Sequence, residues 1–345
     1  MPTTNTPRKE QAASETSQPE GQRIKELRKR PWYDAIGLTR FSALYLWAGF
    51  ILLFGLTQPQ YLTGTTLTIV FGQGVVTCLV ALAFLVPLAA DVYDLAVGAQ
   101  MSLALCLSLY LNLHTSIPAG LGAVMCVVAC ALFGAVSGFI VVRLRVSSFI
   151  ATLGMSQVLL AVVILLSSNT QLVGHFSHSW SQLDNATWHG IPVSDVYLLI
   201  IAAVLWFILE QTPAGRYLFA TGGNIEAARL SGVAVDRVVW TSLIASGVIA
   251  GLAGVLYSMQ SGLFDPSVGP GYLFPAVTAV FLGASQLSQR PNVWGTLIAY
   301  FALAFGVQGL ALSASSASAW SQPLFQGVAL IIAVSLAVRR VRRSR

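Results

Sequence analysis

Residues 117 to 142, IPAGLGAVMCVVACALFGAVSGFIVV, run for twenty-six positions without a formal charge. About 20 predominantly apolar residues suffice for a helix to cross the hydrocarbon core of a bilayer, so a stretch of this length points to a membrane. Comparable blocks follow one another along the chain. Hydrophobic residues make up 55% of the 345 and charged residues 9%, with a mean hydropathy of +0.73, whereas soluble domains are about 25% charged. The chain is therefore an integral membrane protein, and its blocks predict an all-α, polytopic fold.

The hydrophobic segments number about ten: 41 to 57, 67 to 90, 95 to 112, 117 to 142, 148 to 167, 196 to 210, 238 to 260, 273 to 287, 292 to 313 and 322 to 338. Only four residues separate the second from the third, and the segment 196 to 210 is short unless it is tilted, broken or extended into flanking polar residues. All 19 Lys and Arg fall in five places: eight in the first 40 residues, then Arg143 and Arg145, then Arg216, Arg229 and Arg237, then Arg290, and five after residue 338. With ten crossings these regions share one face, and the positive-inside rule makes that face cytoplasmic, both termini included. The other face receives 58 to 66, 113 to 116, 168 to 195, 261 to 272 and 314 to 321, none with a Lys or Arg. On this topology segments 2 to 5 and 7 to 10 enter from opposite sides, which allows an inverted repeat, a common transporter plan.

The tail 1 to 40 is polar and basic, and its end, KELRKRPWYD, sets basic residues beside Trp32 and Tyr33. That pairing suits an anionic membrane surface better than a nucleic acid. A second basic tail spans 339 to 345, and the membrane-spanning body lies between, at 41 to 338. The four cysteines, Cys78, Cys106, Cys126 and Cys130, all sit inside apolar blocks and read as small buried hydrophobes.

The chain contains no phosphate-binding G-x-x-x-x-G-K-[ST], no H-E-x-x-H and no G-x-S-x-G. His175, His178 and His189 lie in the 168 to 195 outer loop without a carboxylate cluster, and read as surface histidines. That loop, which also carries Trp180 and Trp188, is long enough to dock an external partner. No buried nucleophile with a paired base stands out, so the chain does not read as an enzyme.

Two polar features interrupt the apolar blocks. Between Phe41 and Val142 the only formal charges are Asp91 and Asp94, in AADVYDLAVGAQ. A carboxylate at bilayer depth costs roughly 2.5 to 3.5 kcal/mol on insertion scales. Two compatible readings stand: Asp94 caps the segment that begins at Leu95, or the broken stretch lines a polar pathway. The second feature is TGGNIEAARLSGV, residues 221 to 233, within a cytoplasmic region 211 to 237. Asn224 is placed to cap a helix of about seven residues, with Glu226 in its first turn, Arg229 one turn later and Gly232 at its end. So short a helix must be held by packing. Its small residues Ala227, Ala228 and Ser231 suit a groove on a second protein.

The stretch GRYLFATGGNIEAARLSGV, residues 215 to 233, resembles the G-R-x-x-x-A-x-G-G-N-x-E-A-A-x-x-S-G-[IV] segment of permease subunits of bacterial ATP-binding-cassette monosaccharide importers, the ribose, xylose and galactose type. DLAVGA from Asp94 is similar to the family's D-L-S-V-G, FIATLGM from Phe149 to its F-I-x-T-L-G, and VWGTLI from Val293 to its W-G-T-L-I. The resemblance implies a permease dimer in the bacterial cytoplasmic membrane, cytoplasmic ATP-binding subunits that hold ATP and Mg, and an extracytoplasmic solute-binding protein. No cofactor is then expected in this chain. It also implies that Gly215, Arg216, Gly222, Gly223, Asn224, Glu226, Ala227, Ala228, Arg229, Ser231 and Gly232 couple to the ATPase. Asp91, Asp94, Gly98, Thr152 and Gly154 become candidates for the translocation pathway. Two departures stand out: Val92 and Tyr93 replace a usual Gly-Gly, and FLGASQLSQRPNVWG lacks the glycine-rich run expected before W-G-T-L-I. A proton-coupled secondary transporter using Asp91 or Asp94, or a permease for nucleosides or branched-chain amino acids, are the alternatives.

Overall fold

A computed structural model describes residues 42 to 174, 176, 180, 187 to 188, 191 to 284, 290 to 313, 320 and 322 to 331. Both basic tails, the three loop histidines and residues 285 to 289 lie outside the described residues.

The described chain is helical through its apolar blocks, because in lipid every backbone polar group must be satisfied within the segment. Helix α1 spans Ser42–Thr57, α2 Gly64–Leu88, α3 Val97–His114, α4 Ala119–Arg143 and α5 Ser148–Ser167. After a connection carrying strands β1 (Leu172–Val173), β2 (Thr187–Trp188) and β3 (Ile191–Pro192) come α6 (Val193–Gln211), α7 (Pro213–Gly223) and α8 (Ile225–Leu230). Then follow α9 (Val235–Ser261), β4 (Leu263–Phe264), α10 (Val268–Ala284) and α11 (Val293–Ser313), and residues 322 to 331 are again helical.

Among the described residues six helices, α2, α4, α5, α6, α9 and α11, are long and apolar enough to cross a membrane. The other expected segments correspond to α1, α3, α10 and the helix at 322 to 331, and the number of crossings rests on the sequence argument. Two boundaries differ from the apolar blocks. Segment 196 to 210 extends through Ser194 and Asp195 to a 19-residue helix, and the four-residue gap after the second segment widens, since residues 89 to 96 belong to neither α2 nor α3.

Helix α2 is the centre of the bundle: every side chain from Val75 to Val86 is buried, packed among α6, α9, α10 and α11. Helix α4 instead exposes Leu121, Val124, Val128, Leu132, Val136 and Phe139, a stripe at three- and four-residue spacing. An exposed apolar stripe on such a helix is where lipid belongs. The opposite face of α4 meets α9 at backbone distance: Gly134 lies on the Leu243 carbonyl, Gly247 on the Cys130 carbonyl, and Trp240 Nε1 donates to Ala135 O at 2.9 Å. Small residues at four-residue spacing permit this approach, on which association in a membrane depends. The four cysteines are buried free thiols, and the Cys130 thiol donates to Gln100 O at 3.2 Å.

The two ends of the bundle differ as the charges predict. At one end Arg290 pairs with Glu210 at 2.6 Å and lies 4.4 Å above the Phe219 ring, joining connections that carry arginine. At the other, β1 pairs antiparallel with β4, Leu172 opposite Phe264, and Gly174 N donates to Gly262 O at 2.9 Å. Gln171 Nε2 donates to Asp265 Oδ2 at 2.8 Å. Hydrogen bonds from Ser267 and Gln171 hold the Asp265 carboxyl below the usual carboxylate range. A second pair, β2 with β3, makes these connections the only strand-bearing part of the fold among the described residues.

Candidate functional site

The polar segment between α6 and α9 is a helical pair. Pro213 opens α7, a position that needs no amide hydrogen, and Gly215 lies against the Leu209 backbone, where a β-carbon would not fit. Asn224 is extended, with φ −162°, and ends α7 while capping α8: its Oδ1 accepts from Ala227 N at 3.0 Å. At the far end Gly232 takes φ +84°, which lets Val233 N reach back to Ala228 O at 3.0 Å. The helix has six residues. Arg229 lies 3.9 Å from Glu226 and 3.5 Å from Asp236, exposed pairs that orient more than they stabilise.

The expected small-residue face needs one correction. Ala227 and Ser231 are exposed, but Ala228 is 4% exposed and turns into the protein's own core. The outward apolar residues are instead Leu230, 89% exposed, and Ile225. Their signal in the sequence was two large hydrophobes flanking EAAR in an otherwise polar stretch. Arg216 and Gly223 are exposed too, and a β-carbon on Gly223 would meet nothing within 4 Å. Replacing Asn224 by Ala removes the cap, which costs about 1 kcal/mol; hydrogen exchange at the Ala227 amide should accelerate roughly fivefold.

Residues 89 to 96 form a non-helical passage inside the bundle, and side chains satisfy its amides. Tyr93 N donates to Ser148 Oγ at 3.1 Å and Leu95 N to Thr152 Oγ1 at 3.0 Å. The Thr152 hydroxyl faces Tyr93 O at 3.0 Å and Ser148 O at 2.8 Å. Asp94 is wholly buried: Oδ1 accepts from Ala96 N at 3.0 Å and Oδ2 from Ser246 Oγ at 2.7 Å. Helix α3 thus begins at Val97, two residues later than the sequence suggests, with Ala96 as its capping residue, and the Asp94 carboxylate satisfies an amide just ahead of the helix. The left-handed residue here is Asp91, φ 58°, rather than Val92 or Tyr93. A short polar side chain tolerates that conformation, so the missing glycine pair imposes no strain at its own positions.

The five pathway candidates do not form one cluster. Asp94 and Thr152 meet at this passage. Gly98 packs against α10, where its β-carbon would lie 2.6 Å from Gly269 O. Asp91 and Gly154 are exposed. None of the five lines the cavity of about 850 Å³ that opens among the halves of α2, α6, α9, α10 and α11 towards the β1/β4 end. Its polar wall includes Gln73, Thr77, Ser194, Tyr257, Gln260, Tyr272, Tyr300 and Gln308, and among the described residues none that lines it is charged. Gln260 Nε2 donates to Gly72 O at 2.9 Å across the α9–α2 contact, and the Tyr257 and Tyr272 rings lie 5.5 Å apart. Sequence reasoning passed over these amides; the available signal was a glutamine inside an otherwise apolar span.

Residues 66–334 match the family described as "Branched-chain amino acid transport system / permease component". The D-allose transport system permease protein of Escherichia coli (strain K12) is 28% identical over 310 residues, covering 89% of this chain and 94% of that protein. The ribose import permease protein of the same strain is 29% identical over 286 residues, covering 80% and 87%. The autoinducer 2 import system permease protein of Klebsiella pneumoniae is 34% identical over 270 residues, covering 78% and 76%. No solved structure matches the chain. With most of its length matched, this multi-pass helical chain belongs to the branched-chain amino acid transport system permease family.

Proposed function

We propose that this permease carries a monosaccharide or related polyol into the cytoplasm, driven by ATP hydrolysis in a partner. The cavity carries the reading. Its amides and hydroxyls donate and accept, its tyrosine rings offer apolar faces, and no described residue lining it carries a formal charge. A neutral polyol satisfies such a wall. A zwitterionic amino acid would leave its ammonium and carboxylate without counter-charges, at the cost that burying charge carries. The volume of about 850 Å³ falls in the range of small-molecule sites. The names of the relatives, D-allose and ribose among them, agree with this class.

On this reading α8 seats in a cytoplasmic ATP-binding subunit, which holds the ATP and Mg, and a solute-binding protein delivers the sugar at the β1/β4 end. A second permease copy completes the membrane unit. The arginine-bearing end faces the cytoplasm of a bacterial inner membrane, and ten crossings return the chain to that side. An inverted repeat of the second to fifth and seventh to tenth segments is supported by contacts between its equivalent members. Helix α2 packs on α9, and α3 meets α10 at Gly98 and Gly269.

Proteoliposomes holding the permease, its ATPase and its solute-binding protein test the proposal. ATP-dependent uptake should compete with D-ribose, D-allose or D-fructose and resist an uncoupler. Uptake that the uncoupler abolishes and ATP does not affect would establish the proton-coupled alternative. Replacing Gln73 by Leu should weaken half-saturation for uptake several-fold, the worth of one neutral hydrogen bond.

A further inference from the structure

We infer that the contact of Gly222 with the Ala89–Ala90 turn hands movement of the α7–α8 pair to helix α2, making Gly222 a positioning residue for transport. The inference rests on the reading that α8 docks an ATPase. Gly222 sits against the Ala89 carbonyl oxygen so closely that a β-carbon would not fit, and Ala89 C and Ala90 C would each lie 3.2 Å from it. The contact is backbone on backbone, with no side chain between to absorb a displacement. Thr221 beside it is completely buried.

The turn is rigidly continuous with α2. Ala89 N donates to Leu85 O at 3.0 Å, Ala90 N to Pro87 O at 2.9 Å and Asp91 N to Leu88 O at 3.0 Å. Helix α2 has 25 residues, about 37 Å of rise, and its other end supplies Gln73 and Thr77 to the cavity wall.

Helices α2 and α9 are also tied at two levels. The chain leaving α2 is fastened to the middle of α9 through Asp94 and Ser246 at 2.7 Å. Near the other end of α9, Gln260 is fastened to Gly72 of α2 at 2.9 Å. Two ties at different levels limit how far one helix slides past the other. The cavity walls they carry are thereby linked to the docking pair through contiguous packed backbone, the kind of path along which coupling is transmitted.

The test uses the complete permease, ATPase and binding-protein assembly with D-ribose, D-allose and D-fructose as probes. In Gly222→Ala the ATPase subunit should still co-purify while solute moved per ATP falls about tenfold. Gly49→Ala in α1, where the space is open and which lies off the proposed path, should match wild type. Ser246→Ala removes one hydroxyl from the Asp94–Ser246 tie, and should lower solute moved per ATP several-fold with ATPase retention unchanged. Wild-type coupling in both Gly222→Ala and Ser246→Ala would overturn the inference, as would wild-type coupling in Ser246→Ala if Gly222→Ala fails to assemble. Loss of ATPase retention together with uptake in Gly222→Ala would assign Gly222 to the docking surface and overturn the inference while leaving the proposed function standing. Failure of wild type to couple uptake to ATP would instead overturn the proposed function.

Discussion

Replacing Leu230 by Glu or Glu226 by Arg in the assembled transporter should abolish solute-stimulated ATP hydrolysis while leaving insertion at wild-type levels and lowering thermal stability only slightly. The separation is expected because both side chains project from the protein. Leu230 is 89% exposed and the Glu226 side chain 80% exposed, and substitutions at such positions change folding stability by about 0.5 kcal/mol or less. For Glu226 the loss of a favourable charge in the first helical turn adds about 0.3 to 1 kcal/mol. A centrally placed apolar anchor in an interface is worth at least about 2 kcal/mol, some thirtyfold in affinity. Gly223→Trp gives an independent probe of the same surface, since its position faces open space. Measurements of solute-stimulated ATPase activity and thermal unfolding on the same preparations check the prediction. Normal coupling in all three variants would show that α8 is not the docking element.

The second large effect concerns Asp94. Asp94→Ala leaves the Ala96 amide and the Ser246 hydroxyl without their buried acceptor, at about 1 to 3 kcal/mol for each unsatisfied group. The expected outcome is a sharp drop in thermal stability and folded yield, read by fluorescence-detected gel filtration after heating. Asp94→Asn separates geometry from charge. Its amide oxygen can still accept from Ala96 N, and the Ser246 hydroxyl can reverse to accept from the amide nitrogen, so stability should stay near wild type. Transport should survive in Asp94→Asn if Asp94 is a staple of the passage. A folded Asp94→Asn variant with no uptake would favour the proton-relay alternative.

The helical blocks and the segregation of arginine were legible in the chain because membrane insertion imposes them locally. A run of uncharged apolar residues must satisfy its own backbone, and one stretch of sequence is enough to reveal it. The Asn224 cap and the Gly232 terminus were legible for the same reason: both act over five residues or fewer. The inward turn of Ala228 was not, because a six-residue helix has too few positions to define its buried face.

The cavity was equally hidden. Gln73 and Gln260 lie 187 positions apart, and each alone is an isolated amide in an apolar helix. What brings them to one wall is the packing of α9 on α2, which depends on close backbone approach rather than on any local pattern. The contact of Gly222 with Ala89 is of the same kind, since a glycine's missing side chain acquires meaning only from the atom opposite.

The sequence by itself determined a multi-pass helical protein, the end of the bundle that carries its arginines, and a short capped helix at that end. Each follows from forces that act within a helix or at its boundary. Only the tertiary structure decided that the buried carboxylate staples a non-helical passage, that neutral amides and tyrosines wall the cavity, and that α2 spans from the α7–α8 pair to that wall. These depend on which surfaces meet across the bundle, and such meetings are set by side-chain volume and backbone approach between residues far apart in the chain.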